Sequence, residues 1–496
     1  MSPTDQPPVD PETAARRRRR TRIILVVGVL MAGATFAVAA LLVNIFQRKQ
    51  EGQNRHVRLV EVTESTTDPA VWGVNWPRQY DGYRRTVDHE RTRHGGSDAI
   101  PRQKLDADPW LRTMWSGYAF AIDYREARGH AYMLTDQEET ERVKQRPQWG
   151  ACLHCHASVM PAYRELGKGD VMAGFAKLNA MPYHEARHVT GADGKQLVQH
   201  PISCVDCHDP ESMALRVTRP AFITGITELK RKEGVKDYDV HRDATRQEMR
   251  TFVCAQCHVE YYFKGKEKML TYPWSKGLKI EEIEAHYDEE GYQDWTHGVT
   301  GAPTLKAQHP EFELWSQGIH AKSGVSCSDC HMPYKREGAM KVSDHHIRSP
   351  MLNISRSCQP CHNIPEAELA ARVTTIQDRT RGLIDRAAEA LSKMIAATVA
   401  ARDAGATPEQ LKPVLALQRR AQYRLDFVYS ENSIGFHASQ ESARILAEAI
   451  DYARQGEVLA TALRAPAAPK NTTEPEAVHG VTPTASAPAS RLPLGR

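Results

Sequence analysis

No cysteine in this 496-residue chain stands outside one recurring pattern, so no spare thiol is left from which to draw a disulfide framework. Long runs that alternate apolar and polar residues are also missing, which argues against an extended β architecture. The intervals between cysteine pairs are too unequal for a solenoid repeat. Charge of one sign is scarce as well, with 65 Lys and Arg against 61 Asp and Glu. Of the formal +4, Arg16 to Arg20 and Arg22 less Asp5, Asp10 and Glu12 already supply +3. The rest of the chain is nearly neutral, and a nucleic-acid partner has no support.

What is present is Cys-x-x-Cys-His, five times over, using all ten cysteines. The copies are Cys152, Cys155 and His156; Cys204, Cys207 and His208; Cys254, Cys257 and His258; Cys327, Cys330 and His331; and Cys358, Cys361 and His362. Cysteines three apart on a short helical turn can form thioethers to the two vinyl groups of a haem, and the next residue ligates iron. Paired Cys-x-x-Cys units also bind zinc, but zinc requires no histidine directly after each second cysteine. The reading is therefore five covalently bound haem c groups, with porphyrin filling much of the core and propionates making the surface acidic. Of 22 histidines, 17 remain after the motif ligands, enough for a second ligand on every iron. Iron with two strong ligands transfers electrons, whereas an open position allows chemistry. Counting leaves an electron carrier and an enzyme equally open.

The Arg cluster precedes an uncharged run, Ile23 to Phe46, long enough to cross a bilayer. Arginine clusters stay cytoplasmic, which places the bulk of the chain in the periplasm or outside. A cleaved signal sequence is the other reading; small residues around Ala37 to Ala40 permit it, although the run exceeds an ordinary signal core.

The expected organisation is an Arg-rich cytoplasmic tail (1–22), a transmembrane anchor or signal sequence (23–46), a haem-dense domain (57–365), a long helical region (366–464) and a disordered Ala/Pro/Thr/Ser-rich tail (465–496). The fold class is mainly α, a multihaem cytochrome c fold with little β structure, long C-terminal helices and one N-terminal transmembrane helix. A long amphipathic helix starts near Glu366. Thr407, Pro408 and Gln410 form a capping box that opens a second helix, to about Tyr429. A third follows in "ASQESARILAEAIDYARQGEVLATAL". These helices either pack on the haem domain or form an oligomer interface.

The stretches "CAQCHVEYYF" and "KAQHPEFELWSQGIHAKSGVSCSDCHMP", with "WPRQYDGY", "DYREARGHAYMLTD", "SDHHIRSP" and "ENSIGFHASQESARIL", resemble the ammonia-forming cytochrome c nitrite reductases from about residue 70 to 460. That family consists of pentahaem enzymes that reduce nitrite by six electrons. The resemblance implies that Arg142, Tyr261 and His309 stand over the open face of the catalytic haem, in a pentahaem catalytic domain. It implies a Ca2+ site formed by Glu260, Gln308 and the carbonyls of Tyr261 and Lys306. It also assigns second histidines: His130 to the Cys254 haem, His345 to the Cys204 haem with His346 as its neighbour in sequence, His320 to the Cys358 haem and His437 to the Cys327 haem. The Cys152/Cys155 haem receives none. Much of the family carries lysine after its first Cys-x-x-Cys, so His156 marks a variant; His154 within the same motif reads as a solvent or packing residue. The partners implied are nitrite, a membrane quinol-oxidising multihaem cytochrome as donor and a second copy in a homodimer. The alternatives are a non-catalytic pentahaem carrier, or a reductase of hydroxylamine, nitric oxide or sulfite.

Overall fold

Three long helices run Glu366–Asp403, Pro408–Ser430 and Ser439–Ala462, and they pack along one another. The computed structural model describes residues 10–52, 58–85, 90–96, 99–338 and 340–464; the tail expected at 465–496 lies outside the described residues. The second helix starts at the capping box, where Thr407 Oγ1 accepts from the Gln410 N–H at 3.3 Å and Gln410 Oε1 accepts from the Thr407 N–H at 2.8 Å. Two donors that the helix end would leave unpaired are thereby satisfied.

The inner faces of these helices carry Ile384, Leu391, Met394, Leu425, Phe427 and Leu446, which share one core with Leu111, Trp115, Tyr262 and Tyr287 of the preceding domain. Each such side chain contributes roughly 1.5–3 kcal/mol by leaving water. The helices are thus part of the domain's own packing. A second core, around Leu153, Tyr163, Phe175, Phe222, Trp274 and Phe312, encloses the first cysteine motif.

Between these cores the chain is short helices and loops. Strand structure among the described residues is three two-stranded hairpins: Tyr262–Lys264 with Met269–Thr271, Trp295–Thr296 with Pro303–Thr304, and Tyr334–Glu337 with Met340–Ser343. At the other end, the helix Pro11–Gly52 is the one helix among the described residues long and apolar enough to cross a membrane. Its apolar side chains from Ile23 to Phe46 are exposed, with Phe36 at 77 %.

Candidate active site and haem centres

The first motif is a tight turn, Gly150–Cys152, running into the short helix Leu153–His156. Gly150 is required by close approach, because a Cβ there would stand 2.1 Å from the Leu178 carbonyl oxygen. Cys155 is buried, and His154 is fully buried with Nδ1 2.9 Å from the Tyr163 hydroxyl and its ring against Phe175. Of the two roles considered for His154, the structure shows packing.

Four motif histidines each face a second histidine. Ring centroids are 6.3 Å apart for His258 and His130, 6.4 Å for His208 and His345, 6.3 Å for His331 and His437, and 6.2 Å for His362 and His320. Two metal–nitrogen bonds of about 2 Å, with about 1 Å more from each nitrogen to its ring centre, put facing imidazoles roughly 6 Å apart. The spacing therefore fits one iron between each pair. Ring orientation fits as well. Nδ1 lies 3.0 Å from the Met213 carbonyl in His208 and 3.0 Å from the Ser343 carbonyl in His345. A nitrogen held as a donor leaves Nε2 with a bare lone pair for metal. His346, next to His345, is buried, and its backbone N–H donates to Asp344.

His156 has its Nδ1 3.2 Å from the Met133 carbonyl, and among the described residues no histidine ring faces it at the spacing of the four pairs. His309 lies 6.4 Å from His258, so distance alone does not separate it from His130 as that residue's partner. Both act on His258, but His309 is also acted on by Lys306 and His156, which sets it toward the first motif.

Arg142 sits on the helix Glu141–Gln145, whose first N–H donates to Asp123 Oδ2 at 2.7 Å. Its guanidinium donates to the Asp123 carbonyl and to Gln137 Oε1, both at 3.1 Å, and lies 4.5 Å above the Phe120 ring. Its charge acts on Cys152, Tyr261 and His156. Tyr261 interacts in turn with Cys155 and Cys152. Arg142, Tyr261 and His309 are thus brought together around the first motif. Burial raises the Tyr261 phenol well above its usual value and lowers His309 to about 4.

Tyr261 and His309 are carried by two stretches bonded to each other. The Gln308 N–H donates to Glu260 Oε2 at 2.6 Å, the Glu260 N–H to Glu313 Oε1 at 3.0 Å, and the Phe312 N–H to the His258 carbonyl at 3.1 Å. Glu260 is fully buried; its other oxygen accepts from Tyr287 at 2.9 Å and Tyr423 at 3.3 Å. The Gln308 amide lies 3.4 Å from the Lys306 carbonyl. Burial raises the Glu260 carboxyl well above the usual range, as expected where a charge is enclosed with neutral donors. Among the described residues no three His, Cys, Asp or Glu side chains cluster as a metal site. Glu260, the Gln308 side chain and the Lys306 carbonyl could together offer one carboxylate and neutral oxygens, a donor chemistry that suits a hard cation.

The motifs themselves adjoin. The thiols of Cys155 and Cys257, of Cys254 and Cys327, of Cys330 with Cys358 and Cys361, and of Cys207 with Cys254 and Cys257 are near enough to influence one another electrostatically. Centres held there would form a line from the first motif through the third and fourth to the fifth, with the second beside the third. Asp123, Gln137 and Phe120, which hold Arg142, are absent from the sequence reading. Asp123 opens the family-like stretch "DYREARGHAYMLTD", but its role is not marked there, and Phe120 and Gln137 lie in stretches without periodicity.

The cytochrome c552 family profile matches residues 68–487. A cytochrome c-552 from Parabacteroides distasonis is 41 % identical over 452 residues, covering 88 % of this chain and 85 % of its own. Another, from Aliarcobacter butzleri, is 36 % identical over 434 residues, covering 84 % and 80 %. Among solved structures, the cytochrome c nitrite reductase of Desulfovibrio desulfuricans matches with a TM-score of 0.71 at 28 % identity, covering 81 % of this chain and 88 % of that one. The catalytic subunit of that enzyme has two calcium sites in its structure.

Proposed function

Since this chain belongs to the cytochrome c552 family and is therefore a c-type haem protein, we propose that it is a pentahaem oxidoreductase that reduces nitrite to ammonium. One observation carries the reading: Arg142 and His309 lie by His156 and Tyr261 lies by the two cysteines of the same motif, while the other four motif histidines each face a partner imidazole. When bound, the haem of the first motif supplies electrons and a coordination position for substrate, and the four between paired histidines supply electron transfer.

Conversion of nitrite to ammonium and water takes up six electrons and eight protons, so the residues around the substrate must hold an anion and deliver protons. Arg142 does the first. Its bonds to Asp123 and Gln137 fix the guanidinium and leave further N–H groups for nitrite oxygens. His309, held neutral by burial, can donate from one ring nitrogen while taking a proton at the other. Tyr261, kept protonated by burial, is a hydrogen-bond donor to the departing oxygens. The Glu260 set would hold Ca2+, neutralising that carboxylate and tying together the stretches that carry Tyr261 and His309.

The exposed apolar helix Pro11–Gly52 supports a retained single-pass anchor, with the catalytic domain on the periplasmic or outer side. A donor in the same membrane, a quinol-oxidising multihaem cytochrome, follows from that placement. Pairing of two copies through the long C-terminal helices completes the proposal. The deciding experiment is steady-state nitrite consumption by the holoprotein with ammonium counted as product. A fully low-spin protein without turnover would instead be a carrier.

A further inference from the structure

Two of the five attachment turns meet at one buried guanidinium, and a third is tied to its partners. Arg219, fully buried ahead of the helix Pro220–Lys232, donates through Nε to the His154 carbonyl at 2.6 Å and through Nη2 to the Ala157 carbonyl at 2.9 Å. Those carbonyls bracket His156. Nη1 donates at 2.9 Å to Asp206 Oδ1 and at 2.9 Å to Thr218 Oγ1. Asp206, itself buried, lies between Cys204 and Cys207, and its other oxygen caps that turn by accepting from the Ser203 N–H at 2.8 Å. Gln256, between Cys254 and Cys257, donates to the Asp206 carbonyl at 3.1 Å and accepts from the Thr218 N–H at 3.0 Å. The residues inside three motifs, His154, Asp206 and Gln256, are thus joined through Arg219 and its neighbour.

A charge taken fully out of water is costly, and only matched acceptors on every side offset that cost. The arrangement also has an electrostatic reach, because the Arg219 charge acts on Cys155 and Cys257. Among the described residues, its carboxylate partner is Asp206 of the second motif. We propose that Arg219 is a positioning residue for the first attachment turn, and that the Arg219–Asp206 pair sets the reduction potential of the haem bound there. A nearby cation favours the reduced, less positive iron, and Asp206 offsets that bias.

This inference rests on the reading that the first motif holds the substrate-binding haem. It is tested by potentiometric titration of full-length holoprotein, wild type against Arg219→Gln and Asp206→Asn, with cyanide identifying the responding component. Asp206→Asn should shift that midpoint upward, because the guanidinium loses its counter-charge. Arg219→Gln should shift it downward. Shifts of the same sign, or none in either variant, would overturn the proposal. Where Arg219→Gln does not load haem, Asp206→Asn decides alone: an upward shift supports the pair's role and an unchanged or lower midpoint rejects it. Wild-type nitrite turnover is a separate measurement, so an inactive wild type removes the functional reading while leaving the shifts interpretable from the whole titration.

Discussion

Lys306 donates to Asp426 at 3.1 Å with both side chains enclosed in the core, and the other oxygen of Asp426 accepts from the Ala307 N–H at 3.1 Å. The second long helix is thereby bonded to the segment that carries Gln308 and His309. Asp426→Ala leaves an ammonium buried without its counter-ion, and the expected destabilisation is about 3–5 kcal/mol. Thermal unfolding of the holoprotein measures it; a midpoint equal to that of the wild type would show that the pair contributes nothing.

His309→Asn and Tyr261→Phe should keep all haem and lower nitrite turnover by about 10²–10⁴-fold, the range for losing a positioned proton donor. Arg142→Ala should appear mainly as a raised KM. Three variants with unaltered kinetics would remove these residues from the active site.

His345→Ala should open a second ligand-binding iron. Cyanide would then perturb two haem spectra where the wild type shows one, while His346→Ala should stay at one. The reverse pattern would reassign the second ligand of the Cys204 haem to His346.

Chelation of Ca2+ should lower both the thermal midpoint and turnover, with recovery on adding calcium back. Glu260→Gln should be less active and no longer respond to the chelator. If chelator leaves the wild type unaffected, the Glu260 set holds no exchangeable calcium.

Asp108 is buried and accepts from Arg381 at 2.9 Å, Tyr429 at 2.8 Å and Trp110 at 3.2 Å. Burial alone would raise its carboxyl, but the Arg381 and Tyr429 bonds outweigh it and hold it below the usual value. Its contribution to stability is therefore complete above the unfolded value of about 3.9 and lost as pH falls through the lower folded value. Unfolding free energies measured from neutral pH downward should fall less steeply in Asp108→Asn than in the wild type. Parallel curves would argue against this linkage.

The haem motifs are legible in the sequence because two thioethers and one axial ligand demand a fixed spacing, whatever the surrounding fold. The long helices are legible through their period and, for the second, through Thr407 and Gln410. The second histidines are different: spacing says nothing about which of them meet, and the assignments to His130, His320, His345 and His437 came through family resemblance. Arg219 and Asp426 were not legible at all. Each is a charged residue whose burial is made possible by partners remote in sequence, such as Lys306 for Asp426 and the His154 carbonyl for Arg219. A polar letter in an aperiodic stretch reads as surface until those partners are seen.

Cys361 is the one exposed cysteine of the ten, while Cys155 is buried and the other eight are half-buried. Around the first motif, Leu153, His154 and Ala157 are closed off from solvent altogether. Thioether formation needs a machinery that can reach both sulfurs and a flat macrocycle that can approach them, and at that turn the Cys155 sulfur is buried in the finished fold. Biogenesis therefore has a direction: covalent attachment comes before closure. A chain that folds too early at this site is a dead end that later supply of cofactor cannot rescue.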